Sequence, residues 1–283
     1  MQIVDLNQTM ISNLMVSIAG HTQIQIDPDL LRHMVLNSIR NYNVQFKAKY
    51  GEMIIACDDG RSWRKNVFPY YKANRQTDRE KSELDWNAVF KALNMIRSEL
   101  KEYFPYRVIQ VPTAEADDII GHLCREYGNT SEKILIISGD KDFRQLHHYM
   151  NVTQYDAVRK RWITENNPVR YLKEHIIRGD RGDGVPNFLS SDDVLVLKGR
   201  QKKIIQKKLD QWLDQEPHEF CDEQMLRGWK RNEEMVDLEF TPEHIRNSIM
   251  ECMESEKGKN KSKLFNFFIE KKLKNLMANI NEF

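Results

Sequence analysis

Four short apolar runs constrain this chain most: "QIVDL" (2–6), "EMIIACDD" (52–59), "RVIQV" (107–111) and "KILIISGD" (133–140). Each is continuous rather than alternating, which suits strands of a parallel sheet covered on both faces. Helix-length segments lie between them, including "DPDLLRHMVLNSIRNYNVQFKAKYG" and "LDWNAVFKALNMIRSELKEYF". This alternation predicts an α/β domain over residues 1–166, with a mostly parallel central sheet and flanking helices. After "KRWITENNP" the strand pattern fades, and 167–283 reads as a helical C-terminal region. Hydrophobic residues make up 40% of the 283, enough for a real core.

Three of the runs end in acids: Asp5 after "IV", Asp58 after "IIAC" and Asp140 after "LIISG". In a parallel sheet these fall on one edge, where the ligand sites of open α/β sheets lie. A further cluster is "TAEADDII" (113–120), in which Thr113 is expected to cap a helix whose first turn holds Glu115, Asp117 and Asp118. Capping explains acids there, but three in four residues exceed what a cap needs. Asp142 follows in "GDKDF", and Asp180 and Asp183 stand three apart in "RGDRGDGVPN", a spacing that shares one face of a helical turn. Asp59 is set aside as a cap or surface residue.

Nine carboxylates brought together repel one another, and a divalent cation resolves that repulsion. A ligand set read as oxygen-only, without Cys or His, indicates a hard ion such as Mg²⁺, with Mn²⁺ able to substitute. Two such ions about 4 Å apart can activate a water and support the leaving oxygen in phosphodiester cleavage. Mg²⁺ keeps several waters, so some of the nine are expected to act through water.

Other classes fit less well. Counting from Asp180, an EF-hand needs acids where Gly182 and Ser191 stand. The doubled Arg-Gly-Asp suggests an adhesion signal only outside the cell. Cys57, Cys124, Cys221 and Cys252 are scattered, "MQIVDLNQTM" lacks a basic leader, and no apolar run spans a bilayer. A soluble protein with reduced thiols in a cytosol is expected, with no membrane contact. No Ser-His or Cys-His nucleophile pair stands out. Taking nine clustered carboxylates from the 42 acids leaves 33 against 43 Lys and Arg, a surface of roughly +10 suited to a polyanion. Residues 60–84, "GRSWRKNVFPYYKANRQTDREKSEL", form a basic, aromatic excursion too charged for a core, as functional segments often are.

Together, "IVDLNQ", "ACDD", "WRKNVFPYYKANR", "EADDII", "ISGDKDFRQLH", "RGDRGDGVPN" and "NINEF" resemble the flap endonuclease family of 5′ nucleases, and within it the T-even phage branch. The resemblance covers nearly the whole chain. It implies a PIN-like nuclease domain followed by a helix–three-turn–helix element, and a first metal among Asp5, Asp58, Asp117 and Asp140. Asp142, Asp180 and Asp183 would surround the second, with Glu115 and Asp118 completing the acidic motifs. The segment from about 60 to 84 becomes an arch over the site. There Lys72 and Arg75 match residues that approach the scissile phosphate, Arg64 and Lys65 steer the strand, and Tyr70 or Tyr71 stacks on a base or packs under the arch. "LKGRQKKIIQKKL" (197–209) reads as a cationic helix whose Lys198, Arg200, Lys202, Lys203, Lys207 and Lys208 contact DNA phosphates.

The chain departs from the family twice. "FLSSDDVLVLKG" replaces the glycine hairpin, leaving the family's potassium site without its motif. T-even phage members also carry a segment before the first strand, whereas this chain opens at the strand, so a sliding-clamp contact through that segment is not expected. "KSKLFNFF" (261–268) has Lys261 where a clamp-binding box needs glutamine, and reads as the apolar stripe of a helix. The activity implied is 5′ to 3′ cleavage of RNA–DNA and DNA duplexes and of 5′ flaps and forks, removing lagging-strand primers. The protein would act as a monomer, with single-stranded DNA-binding protein as a partner by resemblance alone. A PIN-type endoribonuclease would be smaller and lack the arch, and a non-catalytic DNA-binding relative would have lost the motif acids.

Overall fold

The computed structural model describes residues 1–19 and 26–283. The four apolar runs form β1 (Gln2–Asp5), β2 (Met53–Ala56), β3 (Arg107–Ile109) and β4 (Ile134–Ile137), joined by β5 (Val152–Asp156) and β6 (Arg161–Ile163). The sheet runs β3-β2-β1-β4-β5-β6, parallel except for β6, which returns antiparallel on β5. The apolar-run pattern misses β5 and β6. Thr153, Gln154, Asp156 and Arg161 interrupt it, and a hairpin at the sheet edge needs no continuous apolar stretch.

Helices α1 (Leu6–Ile18), α2 (Pro28–Tyr50), α3 (Arg64–Val67), α4 (Ala73–Glu80), α5 (Trp86–Tyr103) and α6 (Ala116–Tyr127) fill the α/β half. Local chemistry fixes their ends. Asp27 caps α2 by accepting from the N–H groups of Asp29 and Leu30, Pro28 occupies its first turn, and Gly51 ends it at φ +74°. The C-terminal half holds α7 (Pro168–Arg178), α8 (Gln206–Leu213), α9 (Pro217–Phe220), α10 (Glu223–Val236), α11 (Glu243–Ser255), α12 (Leu264–Glu270) and α13 (Lys274–Met277).

Strand residues alternate between two cores, as the period of two requires. Ile3, Ile54, Ile109, Ile134 and Ile136 join α6, α7, α10 and α11 on one face. Val4, Ile55, Val108, Leu135 and Ile137 join α1, α2, α5 and α12 on the other. Helices after residue 167 therefore pack on both faces. Leu264, Phe267 and Phe268 are fully buried, and Phe283 packs its ring against Phe104 (5.5 Å) and Phe268 (5.4 Å). The apolar stripe of 261–268 is thus core rather than a free peptide motif.

One expected element differs. Helix 197–209 does not form: only Gln206 onward is helical, because Lys198 turns at φ +55° and the N–H of Gly199 closes a turn onto the carbonyl of Val194 at 2.7 Å.

Candidate active site

β1 sits where the strand order reverses, with β2 and β3 to one side and β4 to the other, so the crevice at its carboxyl end is the fold's natural ligand site. Asp5 ends β1 and caps α1, accepting from the Gln8 N–H at 3.0 Å and the Ser138 hydroxyl at 3.1 Å. Asp58, just past β2, accepts from the Ala116 N–H at 2.7 Å and from Asn7. Asp117 arrives on the first turn of α6, and Asp140 follows β4. Burial pushes the Asp5 carboxyl up to about 7, with the charges of Asp58 and Asp140 adding to the rise. Burial, then Asp140, Glu115 and Asp5, lift Asp117 well above the usual carboxylate range despite nearby Lys72. Four acids are concentrated at one sheet edge.

A second group lies alongside, joined to the first by a cavity lined by Asp117, Asp142, Asp180 and Asp183. It contains a residue the sequence reasoning missed. His175, in the last turn of α7, is buried between Asp142 (Nδ1 to Oδ1, 3.5 Å) and Asp180 (Nε2 to Oδ2, 3.4 Å). The expectation of oxygen-only surroundings is therefore corrected. The signal was available: His175 is five residues before Asp180, at a helix end that leads straight into the acidic turn. Burial pushes the Asp142 carboxyl up to about 7, opposed by His175 and supported by Asp140 and Asp180. Asp180 goes the other way. Against its burial, His175 and Lys141 (2.8 Å) hold it below the usual range.

Asp180 and Asp183 do not share a helical face. Residues 181–184 form a non-helical turn in which Asp180 Oδ1 accepts from the Gly182 N–H at 2.8 Å, and the two carboxylates meet different partners. Asp183 meets the basic segment around α4. It accepts from Arg75 at 2.5 Å and the Tyr71 hydroxyl at 3.0 Å, and lies 3.5 Å from Lys72 Nζ. Glu115 accepts from Lys72 Nζ at 2.6 Å and the Tyr71 hydroxyl at 2.8 Å, and against its burial Lys72 and Arg64 hold its pKa down. Gly184 makes this approach feasible. It sits at φ +75°, and a Cβ there would come 2.8 Å from the carbonyl oxygen of Tyr70.

The residues fit a divalent cation. Asp142 Oδ1 and both His175 ring nitrogens are buried without a hydrogen-bond partner, and ligand atoms of Asp142, His175 and Asp180 lie within 4.8 Å of one another. Carboxyls raised toward neutrality by burial, and further by one another's charge, are what a bound cation relieves.

Comparison with known proteins identifies the family. Residues 30–175 match the family model described as the 5′-3′ exonuclease, N-terminal resolvase-like domain, and residues 169–283 match T4 RNase H, C terminal. Ribonuclease H of Enterobacteria phage T4 is 30% identical across 99% of this chain and 95% of its own length. The chain belongs to the flap endonuclease family of 5′ nucleases. A flap endonuclease, Xni, of Shewanella pealeana is 30% identical over 45% of this chain and 49% of its own. Among solved structures, the bacteriophage T5 D15 flap endonuclease, titled as a pseudo-enzyme-product complex with DNA and metal ions, superposes with a TM-score of 0.66. It is 16% identical, with 90% of this chain and 98% of that one covered.

Three expected roles in this 5′ nuclease are corrected by packing. Asp118 is fully buried and faces away from the acidic edge. It accepts from the Trp63 indole (3.1 Å), the Thr241 hydroxyl (3.0 Å), Arg64 (2.9 Å) and the Glu115 N–H (2.8 Å). Arg64 does not steer a strand. Its guanidinium is 2% exposed and bonds Asp118, Glu115 and the Met235 carbonyl. Tyr71 is likewise buried, its hydroxyl committed to two acids, so it cannot stack on a base. Tyr70 is half-buried, edge-on to Phe68 at 5.7 Å. Glu115, not Thr113, caps α6, in a box with Asp118; Thr113 is held at φ +63°.

Lys65 is exposed, as are Lys198, Arg200, Lys202, Lys203, Lys207 and Lys208, although the last six stand on a loop and the first turn of α8. That loop is pinned at Gln201 and Lys202. Lys202 donates its N–H to Ser190, and Asn187 bonds Gln201 and the Lys202 carbonyl. Among the described residues, no helix is long and apolar enough to cross a membrane.

Proposed function

We propose that the chain is a Mg²⁺-dependent 5′ nuclease that cleaves RNA–DNA and DNA duplexes 5′ to 3′ and cuts 5′ flaps, removing RNA primers from lagging-strand fragments. The observation that carries this is the convergence of Asp5, Asp58, Asp117 and Asp140 on one sheet edge, with Lys72 and Arg75 drawn against the same crevice from the arch. Asp5, Asp58, Asp117 and Asp140 would hold one ion, and Asp142 and Asp180 another. Bound there, two divalent cations supply neutralisation of the carboxylates, an activated water and support for the leaving 3′ oxygen.

The chain's own groups do the rest. Lys72 and Arg75 are cations whose present partners, Glu115 and Asp183, can be exchanged for the oxygens of an incoming phosphate. Fixed cations at that point stabilise charge that develops on the phosphate. Tyr71 holds Glu115 and Asp183 in place while the exchange occurs. The six exposed cations of 198–208 suit downstream duplex phosphates, which position without reading sequence.

A nicked duplex whose 5′-labelled strand is RNA tests the reading. Short labelled products are expected with Mg²⁺ and none with excess chelator. An uncut strand in saturating Mg²⁺ would contradict it.

A further inference from the structure

His175 has a bonding problem that the residues around it do not solve. Its side chain is 6% exposed, and neither ring nitrogen has a hydrogen-bond partner. What faces each nitrogen is a carboxylate, Asp142 Oδ1 at 3.5 Å and Asp180 Oδ2 at 3.4 Å, and Asp142 Oδ1 is itself unpartnered. Carboxylates only accept, whereas a neutral imidazole has one N–H and one lone pair. In the neutral ring, whichever nitrogen carries the proton, the other aims its lone pair at an oxygen lone pair, so the contact closes only with a second ring proton or another cation between them. Leaving such groups buried and unmatched is costly.

A cation between them removes the conflict. One ring nitrogen and the nearer carboxylate oxygens bind it, and the other nitrogen donates its N–H to the remaining carboxylate. This is the usual arrangement around a metal-bound histidine. The spacing permits it, since one donor atom each from Asp142, His175 and Asp180 lies within 4.8 Å of the others. Lys141, half-exposed and 2.8 Å from Asp180 Oδ2, marks where positive charge is drawn and can swing out to solvent.

We propose that His175 is a nitrogen ligand of the second metal, making that site a mixed Asp142–His175–Asp180 centre rather than an all-oxygen one. This rests on the metal-dependent reading above. An imidazole donor shifts preference toward Mn²⁺ and away from Mg²⁺ relative to a site of carboxylates and water. The two metal sites should then differ in selectivity, with Mn²⁺ displacing Mg²⁺ first from the one containing His175.

Mn²⁺ binding followed by pulsed electron paramagnetic resonance tests this without any turnover. The full-length protein loaded with Mn²⁺ should show nitrogen coupling from one imidazole, and ¹⁵N-histidine labelling should change that coupling. His175→Gln should abolish the signal and weaken Mn²⁺ binding at one of two sites by roughly tenfold or more, whereas His148→Gln, at an exposed position outside the cluster, should leave both intact. Bound Mn²⁺ without histidine coupling in the wild type overturns the proposal and leaves the metal reading standing. A wild type that binds no Mn²⁺ overturns both. The labelled wild type alone decides the point if His175→Gln fails to fold.

Discussion

The backbone N–H of Lys72 donates to the carbonyl of Asp183 at 2.7 Å, while Lys72 Nζ stands 3.5 Å from the same residue's carboxylate. Lys72, at the start of α4, is therefore tied twice to the acidic turn of "RGDRGDGVPN". The basic segment that follows is not an independent flap; its first turn is anchored to the acidic turn.

Lys72→Ala and Arg75→Ala are expected to lower single-turnover cleavage of a 5′-flap substrate by about 10²- to 10³-fold each. Arg75 is half-exposed, so its variant should melt within a degree or two of the wild type. Full cleavage by both variants would remove the arch cations from the mechanism.

Arg64→Ala separates a structural from a DNA-steering role. Removing this guanidinium leaves Asp118 and Glu115 partly unpaired in a buried place, which costs about 3–5 kcal/mol. Chemical denaturation should show that loss. An unchanged midpoint with weakened DNA binding would restore the strand-steering role.

Stability should depend on pH in a direction that metal reverses. Asp5 and Asp142 are pushed up to about 7 in the folded protein, while an unfolded Asp titrates near 3.9. Between these values the folded state binds more protons, so the metal-free protein loses stability as pH rises from about 4 to 7, at most about 1.4 kcal/mol per pH unit for each group. Asp180, held low, contributes in the opposite sense, but only below about pH 4. Urea titrations at pH 5 and pH 8 check this. Greater metal-free stability at pH 8, or an effect that saturating Mg²⁺ leaves untouched, would refute the assignment.

Phe268→Ala should cost about 3–5 kcal/mol, because this ring is fully buried beside Phe104 and Phe283. A thermal melt is sufficient to measure it. If the variant is as stable as wild type, "KSKLFNFF" is not the core helix described here.

The acidic edge was legible because parallel strands put their carboxyl ends together, so Asp5, Asp58 and Asp140 could be placed from three apolar runs. Burial was not legible. Arg64 and Tyr71 have the composition of surface and stacking residues, and only the packing of Trp63 and Asp118 on Arg64, and of Arg64 and Glu115 on Tyr71, shows that both are enclosed. Asp118 looks like its neighbour Asp117, yet one step along α6 turns a helix residue by about 100°, from the crevice into the core. His175 was hidden for a related reason: "EHIIRG" reads as an ordinary amphipathic helix end, and the acids it meets come from the turn after β4 and the turn after α7. The helix expected over 197–209 failed because charge spacing cannot reveal a turn at Lys198 and Gly199.

Cleavage of a labelled 5′-flap duplex by wild type and Asp117→Asn, with DNA binding measured on the same substrate, tests the central claim most directly. Asp117 lies within the buried acid group that would hold the first ion and has no structural partner comparable to those of Asp118. Its variant should lose cutting by at least about a hundredfold while binding DNA within about threefold of wild type, since phosphate contacts elsewhere supply the affinity. A variant that cuts at the wild-type rate in Mg²⁺ would contradict the account.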